Sequence, residues 1–132
     1  MNQKKILIVD GDKSAASSLK EILEKEGHLL FSAFDSPEAM SLFEQNKPDI
    51  CIIEISLPSP EVSGLALLKK IKEKDVTTRC IILTSADDKT KRKIAKDFGA
   101  DAYFTKPMDK DVLLETLNIA IHAQRLLRDR DE

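Results

Sequence analysis

Four apolar runs in this chain each stop at a residue equipped for chemistry. Ile6-Leu7-Ile8-Val9 runs into Asp10-Gly11-Asp12, Ile50-Cys51-Ile52-Ile53 into Glu54, Cys80 to Leu83 into Thr84-Ser85, and Ala102 to Thr105 into Lys106-Pro107. Carboxylates, a hydroxyl and an ammonium brought together form a site for phosphate or a divalent cation. Mg²⁺ favours a few carboxylates plus water, and lysine acts on phosphate as a point charge. Glu54 poses the sharpest question. The run before it reads as a strand buried on both faces. An ionised carboxylate at the end of such a strand is costly unless it is paired or close to water.

The order of elements predicts that these residues meet. Lys5 to Val9 reads as a strand. Ala15, Ala16, Leu19, Ile22 and Leu23 then recur at helical spacing, and Gly27 supplies a stop. Leu29 to Phe34 is a second strand. Ser36-Pro37 reads as a helix start, with Ser36 as N-cap and Pro37 at the first helical position. Ala39, Met40, Leu42 and Phe43 are that helix's apolar face, and Lys47-Pro48 ends it. Ile50 to Glu54 is the third strand, followed by a Pro- and Ser-rich loop and a third helix marked by Leu65, Leu68 and Ile71. Cys80 to Leu83, then a helix marked by Ile94, Ala95 and Phe98 before Gly99, then a strand from Ala102 to Thr105 continue the alternation. Val112, Leu113, Thr116, Leu117, Ala120, Ile121 and Leu127 mark a long final helix from near Asp109. Strict strand–helix alternation predicts an α/β fold of parallel strands and right-handed crossovers, with helices on both faces. Open sheets of this kind bind ligands at the carboxyl ends of their strands. Asp10, Glu54, Thr84 and Lys106 are therefore expected at one edge.

Composition bounds the rest. At 132 residues the chain is long enough for one domain with one sizeable core. Its 42% hydrophobic and 33% charged residues are ordinary for a globular protein. A net charge of -2 gives no general affinity for nucleic acid. The local basic run Lys89-Thr90-Lys91-Arg92-Lys93 reads as a solvated helix face, with Asp87-Asp88 as its N-cap region. Cys51 and Cys80 lie inside apolar runs and read as buried free thiols. No apolar stretch approaches the roughly 20 residues that span a bilayer, and no signal-peptide pattern opens the chain. A cytoplasmic location is the expectation. His28 and His122 have no Cys or carboxylate at ligand spacing, so neither is assigned to a metal.

The motifs ILIVDGD (6–12), IIEISLP (52–58), the glycine of SGLALLKKIK (63–72), IILTSAD (81–87) and GADAYFTKP (99–107) together resemble the receiver domains of bacterial two-component response regulators. The resemblance spans nearly the whole chain, with 1–124 as the receiver-like domain and 125–132 as a helix end or linker stub. It implies a flavodoxin-like, doubly wound five-stranded parallel sheet in order 2-1-3-4-5 with five helices. In such domains an Asp ending the third strand accepts a phosphoryl group from a histidine kinase. Two acids after the first strand serve Mg²⁺, a Thr or Ser after the fourth contacts the phosphoryl group, and a Lys before Pro pairs with it. By that correspondence Asp10 is the first acid, Thr84 and Tyr103 are switch residues and Lys106 is the pocket lysine. The Lys106-Pro107 bond is expected to be cis.

The sequence departs from the pattern at two positions of one reaction. Gly11 stands where the metal-binding acid would be, and Glu54 stands at the phosphoacceptor position. One extra methylene moves the Glu54 carboxylate by about an ångström, and misplacement on that scale costs about a hundredfold in a positioned reaction. The loop Ser59 to Ser63 also looks longer than usual. These departures imply a degenerate receiver, or pseudo-receiver, of a phosphorelay. It would do no chemistry, bind Mg²⁺ weakly through Asp10 and Glu54, and signal by protein contact. The fourth helix, fifth strand and fifth helix would form the contact face, toward a histidine kinase, an output domain or a second copy. Neither nucleic acid nor membrane is expected as a direct partner.

Other readings stay open at this stage. Asp12 is either a helix N-cap or a substitute acid in the pocket. Glu54 is either an ion-pair partner of Lys106 or a working acceptor in a receiver that still phosphorylates. Thr84 is either a turn cap or a switch, and Tyr103 either a core aromatic with a wet hydroxyl or a switch. A rival from another class is a haloacid-dehalogenase-type phosphatase, with Asp10 as nucleophile, Asp12 as acid, and Thr84 and Lys106 as its later motifs. That rival needs a further acidic pair, and Asp109 and Asp111 lie instead at a helix start.

Overall fold

The computed structural model describes residues 3–58 and 63–130. In chain order it contains β1 (Lys5–Val9), α1 (Lys13–Lys25), β2 (Leu29–Ala33), α2 (Ser36–Asn46) and β3 (Ile50–Ile53). α3 (Gly64–Lys74), β4 (Arg79–Thr84), α4 (Lys89–Asp97), β5 (Ala102–Thr105) and α5 (Lys110–Arg130) follow. The five strands form one parallel sheet in the order β2-β1-β3-β4-β5, as expected. Of the longer loop read at Ser59 to Ser63, only Ser63 lies among the described residues.

Successive side chains of a strand point to opposite faces, and here both faces are covered. Leu7, Val9, Cys51, Ile53, Cys80 and Ile82 pack toward Ala39, Phe43, Leu67, Leu68, Ile71 and Ala95 of α2, α3 and α4. Ile6, Ile8, Ile50, Ile52, Ile81 and Leu83 pack toward Ala16 and Leu23 of α1 and Leu117 and Ile121 of α5. This double burial explains why the central strands are continuously apolar rather than alternating. Each fully buried Ile or Leu stabilises the fold by about 1.5–3 kcal/mol relative to exposure. Cys51 and Cys80 are free, buried and opposite one another in the β3–β4 register.

Helix starts match the sequence reading with one correction. Asp12 and Asp88 cap α1 and α4 as read, and Ser63, for which no cap was read, caps α3. The α2 cap is Asp35 rather than Ser36, which is the first residue of the helix and buried. Asp35 is extended, so its carboxylate reaches the Glu38 N–H at 2.9 Å. The final helix runs through position 124 without a break. Gln124 donates to the Asp49 carbonyl at 2.5 Å, and Arg128 pairs with the Asp49 carboxylate at 2.7 Å. Both contacts tie the helix to the amino-terminal end of the sheet. No helix among the described residues is long and apolar enough to cross a membrane.

Candidate functional site

The sheet ladder continues one residue past three strands and fixes the backbone of the site. The N–H of Asp10 donates to Ala33 O at 3.0 Å, that of Glu54 to Val9 O at 2.9 Å, and that of Lys106 to Thr84 O at 2.8 Å. The parallel register therefore brings Asp10, Glu54, Thr84 and Lys106 to one edge, as the sequence predicted. Gly64 lets α3 begin against that edge. Its N–H donates to Ile55 O at 2.8 Å, and a Cβ there would fall 2.1 Å from Glu54 O. The Lys106-Pro107 peptide is cis, as expected.

Lys106 Nζ lies between two carboxylates, 2.5 Å from Asp10 Oδ2 and 3.2 Å from Glu54 Oε1. Sequence reasoning paired Lys106 with Glu54 alone. The shorter bond is to Asp10, because β1 lies beside β3 and its terminal acid faces the same lysine. Both carboxylates are buried, and the pairing with Lys106 is what lets Glu54 end an apolar strand. Glu54 Oε1 also accepts the Ser85 N–H and hydroxyl, each at 3.1 Å, and Oε2 accepts the Ile55 N–H at 2.7 Å. Burial pushes the Glu54 carboxyl up. Hydrogen bonds from Thr84 and Ser85 and the charge of Lys106 outweigh it, and the net result lies below the ordinary value. For Lys106, burial pulls the ammonium down, but Asp10 and Glu54 together raise it above its ordinary value.

Asp12 stands at the rim of the pocket, but its carboxylate is directed to α1. Oδ1 accepts the N–H groups of Ser14 at 3.0 Å and Ala15 at 3.2 Å. It is the helix cap, and it also lines the pocket. Its own N–H donates to Asp10 Oδ1 at 2.9 Å, so the turn around Gly11 orients Asp10. The open pocket, about 320 Å³, is bounded by Asp10, Gly11, Glu54, Ser56, Pro58 and Lys106. The carboxylates that line it are Asp10, Asp12 and Glu54.

Thr84 is fully buried and serves as the turn cap, one of the two roles read for it. Its Oγ1 accepts the Ala86 N–H at 3.0 Å, and the nearby hydroxyl favours the ionised form of Glu54. Tyr103 departs from the expectation of a wet hydroxyl. Its OH is buried and makes no hydrogen bond of ordinary geometry among the described residues. Burial and the neighbouring Asp87 carboxylate push the phenol above its ordinary value, against the Arg92 charge. The Arg92 guanidinium lies 4.7 Å from the Tyr103 ring centroid and pairs with Asp87 at 3.2 Å. Ser85, the Ile55 N–H and Arg92 were not assigned roles from sequence. Ser85 was legible only as half of a polar pair ending a strand, and nothing in the spacing links Arg92 to Tyr103. His28 and His122 line one surface cavity at the opposite end of the strands. No group of three or more metal-ligating side chains occurs among the described residues.

The profile of the family described as "Response regulator receiver domain" matches residues 6–118. Protein PilH of Pseudomonas aeruginosa is 33% identical over 120 residues, which cover 89% of this chain and 97% of that protein. The transcriptional regulatory protein TrcR of Mycobacterium tuberculosis is 33% identical over 97% of this chain, which spans only 49% of that relative's length. A crystal structure of a CheY-like receiver domain protein from Methanospirillum hungatei superimposes with a TM-score of 0.89 at 30% identity, covering 94% of this chain and 98% of that one.

Proposed function

Since the chain belongs to the response regulator receiver domain family, we propose that it is a two-component signalling receiver that works by protein contact and performs no phosphotransfer chemistry of its own. One observation carries this reading. The Glu54 carboxylate already takes hydrogen bonds from Ser85 and Ile55 and the ammonium of Lys106. Lys106, which would attend a phosphoryl oxygen, is thus engaged by side chains of the protein itself. The pocket is held in one state without a modification. The phosphatase alternative needs Asp10 as a free nucleophile, whereas its carboxylate is held by Lys106 Nζ and the Asp12 N–H.

The contact surface is the α4–β5–α5 face. Lys89, Arg92, Lys93 and Lys96 rim a groove of about 430 Å³ floored by Ala100, Ala102 and Tyr103. Val112, Ile119 and Leu126 stand exposed along α5. A basic rim over an apolar floor suits an acidic segment with an apolar anchor, presented by a histidine kinase or output domain. Two-fold pairing of the α5 stripe would make a homodimer. The cytoplasm is the compartment in which such a phosphorelay component would act.

The test is incubation with acetyl phosphate and Mg²⁺ followed by intact mass. The expected result is no gain of a phosphoryl group under conditions that label an intact receiver. Stoichiometric labelling at Glu54 would overturn the proposal. An aryl phosphate assay with Mg²⁺ run beside it excludes phosphatase action if no turnover is seen.

A further inference from the structure

We propose that Gln124 and Arg128 latch the last turns of α5 onto the loops that enter β3 and β4, and that this latch holds Leu126 in place on the contact face. The inference rests on the contact-face reading for its significance.

The inner face of α5 runs through Leu113, Leu117, Ala120 and Ile121, all buried. Helical spacing continues that face to Gln124 and Arg128. There the helix meets Asp49 and Thr77, which lie just before β3 and β4. Each of the two side chains grips both loops. Gln124 Nε2 donates to the Asp49 carbonyl at 2.5 Å and the Thr77 carbonyl at 3.3 Å. Arg128 Nη1 donates to Asp49 Oδ1 at 2.7 Å, and its Nε to Thr77 Oγ1 at 3.3 Å. Gln124 is fully buried. A buried amide is costly unless it is bonded, and a leucine would fill the same space more cheaply. Gln124 is there for its two donors.

The anchors are themselves held by other elements. Asp49 Oδ2 accepts the Lys5 N–H at 2.8 Å, and the Asp49 N–H donates to Lys5 O at 2.8 Å. The Thr77 hydroxyl and N–H donate to Asp75 Oδ1 at 2.6 and 2.9 Å, and Asp75 is the C-cap of α3. The helix therefore docks on a cradle already tied to β1 and α3. Both latch residues lie beyond the stretch that the family profile matches, which ends at residue 118.

The consequence lies on the opposite side of the helix. Val112, Ile119 and Leu126 recur every seven residues and are all exposed, so they form one stripe. Past Ile121 the remaining apolar anchor, Leu127, is only half-buried. A helix end with little apolar burial frays unless other bonds hold it. The latch thus sets whether the stripe presents two apolar residues or three.

Two measurements on the full chain test this. The first is amide hydrogen exchange. Arg128→Met keeps much of the stem and removes the donors; it is expected to speed exchange over residues 122–130 by at least about tenfold and to leave residues 110–119 within about twofold. Gln124→Leu keeps the buried volume and should also speed exchange over 122–130. No change in that segment for Arg128→Met, an equal rise along the whole helix, or slower exchange in Gln124→Leu overturns the proposal. The second is a nitroxide on Leu126→Cys, with Cys51 and Cys80 shielded by burial. Its spectrum should be that of an ordered helix site and become mobile when Arg128→Met is added. Equal mobility in both backgrounds overturns it. Acetyl phosphate labelling of the unmodified protein would end the signalling proposal above while leaving the exchange pattern standing, so the two fail separately.

Discussion

Replacing Lys106 with Met is expected to be the most damaging change in the pocket. Methionine keeps most of the side chain's length and removes the charge that separates Asp10 from Glu54. At an effective dielectric of about 20, charges 3.2 Å apart attract by about 5 kcal/mol. The contact to Asp10 is shorter still. Most of this attraction offsets the desolvation of three buried or half-buried charges. What the substitution exposes is the remainder, two neighbouring carboxylates with no cation, and removing one member of such a group costs about 3–5 kcal/mol. Glu54→Gln should cost less, about 1–3 kcal/mol, because Lys106 keeps Asp10 as a partner. The double variant should lose less than the sum of the two, by about 1.5–3 kcal/mol, since neutralising Glu54 relieves the repulsion that Lys106→Met creates. Urea denaturation followed by far-ultraviolet circular dichroism gives all four corners of the cycle. A coupling energy near zero, or a loss for Lys106→Met no larger than for exposed Lys93→Met, would refute the bridging-lysine account.

Three further outcomes are expected. The Glu54 carboxyl lies below its ordinary value near 4.5 in the folded chain, so unfolding favours proton uptake there. Its stabilisation is complete above that pH and fades as pH falls through the lowered folded value, and Glu54→Gln should flatten this acid limb in denaturation measured between neutral and acid pH. The chain has one tyrosine and no tryptophan, so phenolate absorbance reports Tyr103 alone. It should titrate above 10.0, lower in Asp87→Asn and higher in Arg92→Ala; shifts in the same direction for both would contradict the placement of the ring. Gly64→Ala should destabilise by about 3 kcal/mol or more, because its Cβ would meet Glu54 O at 2.1 Å; an unchanged midpoint would show that α3 does not press on the site.

The sequence alone determined the strands, their parallel pairing and the edge at which the chemistry gathers. Apolar runs of four or five residues alternating with helical stripes admit few arrangements once crossovers must be right-handed. The residue after each strand is then placed by the ladder, as the N–H bonds of Asp10, Glu54 and Lys106 show. Local chemistry was legible in the same way. Asp12 and Asp88 cap helices because a short carboxylate reaches only the next turn. Where two capping residues stood side by side, as at Asp35-Ser36, spacing could not choose, and the extended backbone of Asp35 did.

Tertiary structure decided everything that depends on side chains from different elements competing for one space. Lys106 could have paired with either acid, and only the closeness of β1 and β3 gave it both. The stacking of Arg92 on Tyr103 joins α4 to β5, and the bonds from Ser85 to Glu54 join the ends of β4 and β3. Hydrophobic period and capping act over one or two turns of chain, whereas charge sharing and steric exclusion act over a few ångströms in space. The latter distances exist only after the sheet has closed.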